Sequence, residues 1–114
     1  MITMYAIANC DTVKKARAYL DKKKISYEFV DFKKTPPSVE LIKKWTEFMG
    51  ELPANKKGTT YRKLKDEFEP LTPAKKINFL IENSSMIKRP ILESKNKTLA
   101  MGFDEEVYEG LKLG

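Results

Sequence analysis

The single cysteine, Cys10, stands where an apolar run, residues 2–8, meets the polar step Asn9-Cys10-Asp11-Thr12 and then a helical pattern. The first N–H groups of a helix have no intrahelical partners, and they can hold the negative charge of a thiolate. Lys14 and Lys15 add positive charge close by, and Asp11 opposes it. In that position Cys10 reads as a nucleophile; the plainer alternative is a small buried apolar side chain. Three residues on stands Val13, not a second cysteine. Any disulfide must therefore form with another molecule, a small thiol or a partner protein. The chain has no histidine, which removes Cys-His and Ser-His-Asp catalysis and the usual zinc clusters. No metal and no bound cofactor are expected.

Two other segments carry usable chemistry. Arg89-Pro90 precedes an apolar pair, Ile91-Leu92. A proline can simply open a strand behind a surface arginine. X–Pro is also the bond at which a cis peptide is cheap, and a cis bond here is the reading that aims Arg89 at the thiol. The guanidinium fork suits a carboxylate or an oxyanion. The segment Asn55-Lys56-Lys57-Gly58-Thr59-Thr60-Tyr61-Arg62 is either a solvated basic turn or a loop for an anion. It lacks the G-K-[ST] pattern of a phosphate-binding P-loop.

The elements that position these residues follow from periodicity. Residues 2–8 read as a buried strand. Val13, Ala16, Tyr19 and Leu20 then mark one side of a helix that runs to about Lys24. Tyr27 to Phe32 alternates as a second strand, so a βαβ unit with parallel strands is expected. Pro36-Pro37 opens a helical stretch. Leu41, Ile42, Trp45, Phe48 and Met49 form a stripe, and Gly50 is the stop. A short helix is expected over residues 61–68. Another starts at Thr72-Pro73, with Ile77, Leu80 and Ile81 facing inward.

Ile91-Leu92 and Thr98–Met101 read as a hairpin, and Gly102 breaks the pattern. Asp104 caps a last helix with Val107 and Leu111 on its inner face. The order β-α-β, helical insert, β-β-α is that of an α/β, thioredoxin-like fold with a four-stranded mixed sheet. It is expected as one domain over residues 1–114, with the insert at about 37–83. In such a fold a cis proline before the third strand faces the active cysteine.

Composition narrows the class. The 114 residues hold 22 Lys and Arg against 16 Asp and Glu, a net charge of +6. The arginines are Arg17, Arg62 and Arg89; the other cations are lysines spread along the chain. Nucleic-acid binders usually gather their charge on one face, so nucleic acid is not the expected partner. Acidic protein surfaces and small anions are. No apolar run approaches a membrane span, and the N-terminus lacks a basic signal-peptide region. A reducing cytoplasm and a monomer are expected.

The segments Y-A-I-A-N-C-D-T-V-K-K-A, D-F-K-K, N-K-K-G-T-T-Y-R-K-L and S-S-M-I-K-R-P-I-L together resemble the ArsC family. It comprises arsenate reductases related to glutaredoxin and the regulator Spx, and the chain looks most like the YffB-like branch. The resemblance implies that the Cys10 thiolate attacks the substrate and that glutathione or a glutaredoxin resolves the adduct. Arg89 then acts with Cys10, and Asn9, Thr12, Lys56, Arg89 and Pro90 hold a small oxyanion or disulfide substrate. At the family's three basic positions this chain has Arg89, Lys56 in place of an arginine, and the apolar Met101. The segment after the cysteine also departs from the Gly-Thr-Ser pattern of those enzymes. The expected function is a glutathione- or glutaredoxin-coupled thiol oxidoreductase. The alternative is a non-catalytic, Spx-like protein that binds an acidic partner.

Overall fold

The computed structural model describes residues 2–111. The elements are β1 (Ile2–Ala6), α1 (Asp11–Lys22), β2 (Tyr27–Asp31), α2 (Val39–Met49), α3 (Thr59–Phe68), α4 (Pro73–Glu82), β3 (Ile91–Ser94), β4 (Lys97–Met101) and α5 (Glu105–Leu111). A 3-10 turn, Ser84–Met86, follows α4. The chain packs as two units: residues up to Thr35 together with those from Arg89 onward, and the segment Pro36–Lys88.

The first unit is the thioredoxin-like α/β sheet. Its strand order is β2-β1-β3-β4. β1 and β2 are parallel, with Ile2 opposite Tyr27 and Ala6 opposite Asp31. β3 runs antiparallel to β1, Tyr5 facing Ile91, and β4 antiparallel to β3, Ile91 facing Met101. The sheet is therefore mixed, and β1 and β3 are its central strands. The core holds Met4, Ala6, Val13, Ala16, Leu20, Leu92 and Tyr108. The β3–β4 hairpin turns on Lys95 and Asn96, both left-handed at φ 54° and 64°. Two consecutive left-handed residues make the tight connection whose twist matches the flanking strands.

Two local expectations are corrected in this unit. The first strand stops at Ala6; Ile7 is buried in the following loop. On α5, Val107 is 47% exposed and Tyr108 is the buried residue. The short helix rotates Tyr108 inward, where its ring meets Phe103 at 4.9 Å and Tyr19 at 5.6 Å. Leu111 does pack on the core.

The second unit is helical. Ser38 Oγ accepts the Leu41 amide and caps α2, and Gly50, at φ 84°, closes it with its N–H bound to the Thr46 carbonyl. Ile42 and Trp45 are the buried face of α2, whereas Phe48 is 50% exposed: the apolar stripe is wider than the face that packs. α3 begins at Thr59, two residues earlier than the sequence pattern suggests, because Gly58 takes the cap position. Thr72 caps α4 with Pro73 in its first turn. Leu80 is the buried residue of α4, with Ile77 and Ile81 half-buried beside it. Among the described residues no helix is long and apolar enough to cross a membrane.

Candidate active site at the α1 N-terminus

Local structure places the thiol. β1 delivers the chain to one end of the sheet, where the Phe32 amide binds the Ala6 carbonyl at 2.8 Å and carries the β1–β2 ladder one step further. Ile7 is buried and anchors the loop; Ala8 and Asn9 are exposed. Cys10 is then the N-cap residue of α1, extended at φ −139° and ψ 128°. Its carbonyl accepts the first helical bond, from the Lys14 amide at 2.9 Å. Its side chain makes no capping bond to the helix. Cys10 is half-buried and packs on the core cluster. Thr12 is the second residue of α1, and its amide is among those with no intrahelical acceptor. The helix is fixed from below by Val13, Ala16, Tyr19 and Leu20.

The Arg89–Pro90 peptide is cis. Pro90 is buried immediately before β3, where its missing N–H costs the ladder nothing. Its carbonyl accepts the Gly102 amide at 2.8 Å, which ties the start of β3 to the end of β4. Because β3 is antiparallel to β1 and Ile91 faces Tyr5, Arg89 and Pro90 lie at the same end of the sheet as the loop from Ala6 to Cys10. The sheet thus brings Asn9, Cys10, Thr12, Arg89 and Pro90 to one end of the α/β unit. Arg89 is half-buried there.

Lys56 belongs to the helical unit. It is exposed, and its Nζ pairs with Glu51 Oε1 at 3.2 Å. The turn that carries it closes through the Gly58 amide on the Asn55 carbonyl at 3.0 Å. A Cβ at Gly58 would come within 2.9 Å of the Asn55 side-chain amide nitrogen, so a larger residue there would push that side chain aside.

One arrangement escaped the sequence. Arg17 lies over the Phe29 ring with its guanidinium carbon 4.2 Å from the centroid, and its Nε donates to the Tyr27 hydroxyl at 2.9 Å. The available signals were the i, i+2 aromatics of β2 and an arginine one position past the Ala16 core contact.

A thioredoxin-like sheet whose one cysteine caps the first helix, at the sheet end that also holds a cis proline, defines a thiol-based redox protein. Residues 5–111 match the family model described as ArsC family, and the chain belongs to that family. Its structure superposes on that of the YFFB (PA3664) protein with a TM-score of 0.85 at 36% identity, over 100% of both chains. A possible arsenate reductase from Streptococcus mutans UA159 matches at TM-score 0.78 and 34% identity, over 98% of each chain. The global transcriptional regulator Spx of Streptococcus mutans is 28% identical over 109 residues, 93% of this chain and 79% of the regulator.

Proposed function

We propose that the chain is a single-cysteine thiol reductase of the cytoplasm that draws its electrons from glutathione, directly or through a glutaredoxin. The observation that carries this reading is Cys10 as the cap of α1, at the sheet end that also holds the cis Arg89–Pro90 bond. The Cys10 thiolate attacks one sulfur of a disulfide, the S–S bond breaks, and the second sulfur leaves as a thiolate that takes a proton from water. A glutathione thiolate then attacks the mixed disulfide at the non-protein sulfur and frees Cys10. A second glutathione releases the remaining substrate thiol, and oxidised glutathione forms. The net change is two electrons, supplied by the two glutathione thiols.

Arg89 neutralises charge that develops on the leaving group or on an oxyanion substrate. The open amides around Thr12 hold the thiolate, while Asn9 and Pro90 wall the site. The family resemblance also assigns Lys56 to an oxyanion, and Lys56→Ala tests that assignment. The similarity to a possible arsenate reductase of Streptococcus mutans supports an oxyanion as one candidate substrate.

The experiment is steady-state turnover of a glutathione mixed disulfide and of arsenate, with glutathione, glutaredoxin and a recycling system present. Turnover that vanishes in Cys10→Ser supports the reading. A protein whose Cys10 is alkylated readily but which turns over neither substrate overturns it. The similarity to Spx favours a second reading, a non-catalytic protein that docks on an acidic partner through its basic surface. Capture of such a partner at low salt, equally well by the Cys10→Ser variant and without turnover, decides for that reading.

A further inference from the structure

Tyr108 of α5 is 1% exposed, and the mechanism above gives its hydroxyl no role. Its ring stands edge-on to Phe103 at 4.9 Å and to Tyr19 at 5.6 Å, so its direction is set by α1 and by the segment between β4 and α5. That direction carries the hydroxyl back to the Gly102 carbonyl, to which it donates at 3.2 Å. Among the described residues this is the hydroxyl's one hydrogen bond. Burial holds the phenol above its ordinary value of 10, so it stays a protonated donor over the range in which a thiolate reacts.

Gly102 is bound from both sides. Its carbonyl takes the Tyr108 hydroxyl, and its N–H donates to the Pro90 carbonyl at 2.8 Å. At φ 83° it makes the left-handed turn by which the chain leaves β4. The register of β3 and β4 reaches Ile91 opposite Met101, and the Gly102–Pro90 bond lies one step beyond it. Proline has no N–H, so the carbonyl is the only backbone group by which Pro90 can bond to a neighbouring strand. The link runs from α5 through the end of β4 to the start of β3: Tyr108 hydroxyl, Gly102 peptide, Pro90 carbonyl. Arg89 is the next residue back, in the same packed unit.

We propose that Tyr108 is a positioning residue for Arg89: through Gly102 it holds Pro90, and so fixes the side chain before it at the sheet end where Cys10 stands. The role in chemistry rests on the reading above that Arg89 serves the Cys10 thiol; the hydrogen-bonded link does not. In Tyr108→Phe the Gly102 carbonyl loses its donor from the core side, and the peptide that holds Pro90 is less constrained. A misplacement of about 1 Å at a reacting centre can cost about a hundredfold in rate, which is how a hydroxyl away from the thiol comes to matter there.

The test compares alkylation of Cys10 by iodoacetate, an anion, with alkylation by neutral iodoacetamide. In both the thiolate displaces iodide from carbon, so a change in thiolate fraction or in exposure alters the two rates alike and cancels in their ratio. The ratio reports positive charge beside the sulfur. Arg89→Ala should lower it about threefold or more. Tyr108→Phe keeps the ring contacts and removes one oxygen; it should lower the ratio too, and should change nothing further in the Arg89→Ala background. Gly102→Ala strains the same link at φ 83° and should act as Tyr108→Phe does, which keeps the test sound if one variant folds poorly. In turnover of a glutathione mixed disulfide, Tyr108→Phe should lower kcat/KM about tenfold, again only where Arg89 is present.

A ratio that stays at its original value in both Tyr108→Phe and Gly102→Ala would overturn the proposal. So would an equal fall with and without Arg89, which assigns the effect to general loosening. A ratio unmoved by Arg89→Ala removes Arg89 from the thiol and takes the proposal with it. The expected ratios in a protein that turns over neither substrate leave Tyr108 its role and remove only the catalytic reading.

Discussion

Cys10 combines two properties that usually exclude each other. It packs on the core, which fixes it, and it remains half-open at a helix terminus, which leaves it accessible. Iodoacetamide should therefore label Cys10 in the folded protein; a thiol labelled only after denaturation contradicts the site. Arg89 directly precedes the cis proline at this end of the sheet, and Met101 opposes Ile91 on the neighbouring strand. A charge-assisted hydrogen bond contributes roughly 1.5–3 kcal/mol, so Arg89→Ala should lower kcat/KM about ten- to a hundredfold. On the family resemblance, which puts a third cation at the Met101 position, Met101→Arg should raise arsenate turnover above that of the unmodified chain. Steady-state arsenate reduction with glutathione and glutaredoxin measures both, and an unchanged rate in Arg89→Ala removes Arg89 from the mechanism.

Single residues at the ends of the helices decide how firmly those helices are held. Gly50 closes α2 at φ 84° with open space around its Cα, so only the backbone conformation resists a side chain there. Gly50→Ala should cost about 1 kcal/mol, read as a lower urea midpoint with an unchanged slope. Glu109 of α5 accepts from Tyr19 of α1 and sits 3.1 Å from the Nζ of Lys23, the residue that follows α1, in a pair about half exposed on both sides. The Tyr19 hydrogen bond, and then Lys23, hold the Glu109 carboxyl below its ordinary value of 4.5. A lowered folded-state pKa means that the ionised form stabilises the fold. That contribution is complete above the unfolded value and is lost as pH falls through the folded one. Amide exchange in α5 should therefore accelerate as pH drops below 4.5, after correction for intrinsic rates. Glu109→Gln should flatten that dependence, and an equal acceleration in the variant would assign the effect to another group.

At the scale of the whole molecule, stability is concentrated in the central strands and the faces packed on them. Leu92 is fully buried on β3, between β1 and β4. Leu92→Ala should cost about 2–5 kcal/mol, the loss of transfer free energy plus the cavity left behind. Val107 is apolar but 47% exposed, and Val107→Ala should stay within about 0.5 kcal/mol. Urea unfolding of both variants makes the comparison. Equal losses would contradict the inward placement of Tyr108 in place of Val107.

Much of the architecture follows from local pattern alone. The β-α-β and β-β-α halves and the helical segment are written in periodicity, caps and turn residues, since each is settled among neighbours in the chain. Gly50 and Thr72-Pro73 act within one helical turn of themselves, and they stand at helix ends that the pattern marks; the start of α2 differs, since Pro36-Pro37 lie outside the helix and Ser38 caps it. Cys10 at the start of a helix is legible for the same reason. The strand order was a matter for the folded chain: pairing β3 with β1 joins residues far apart in sequence, and only that pairing sets Arg89-Pro90 at the end of the sheet where β1 delivers Cys10. Side-chain direction at element ends was likewise decided in three dimensions. A seven-residue helix has room for more than one inward face, and aromatic neighbours at Tyr19 and Phe103 selected Tyr108. Arg17 is the clearest case: its place on α1 is local, but its plane on Phe29 and its bond to Tyr27 exist only because a parallel strand returns beside the helix and presents alternate aromatic side chains to it.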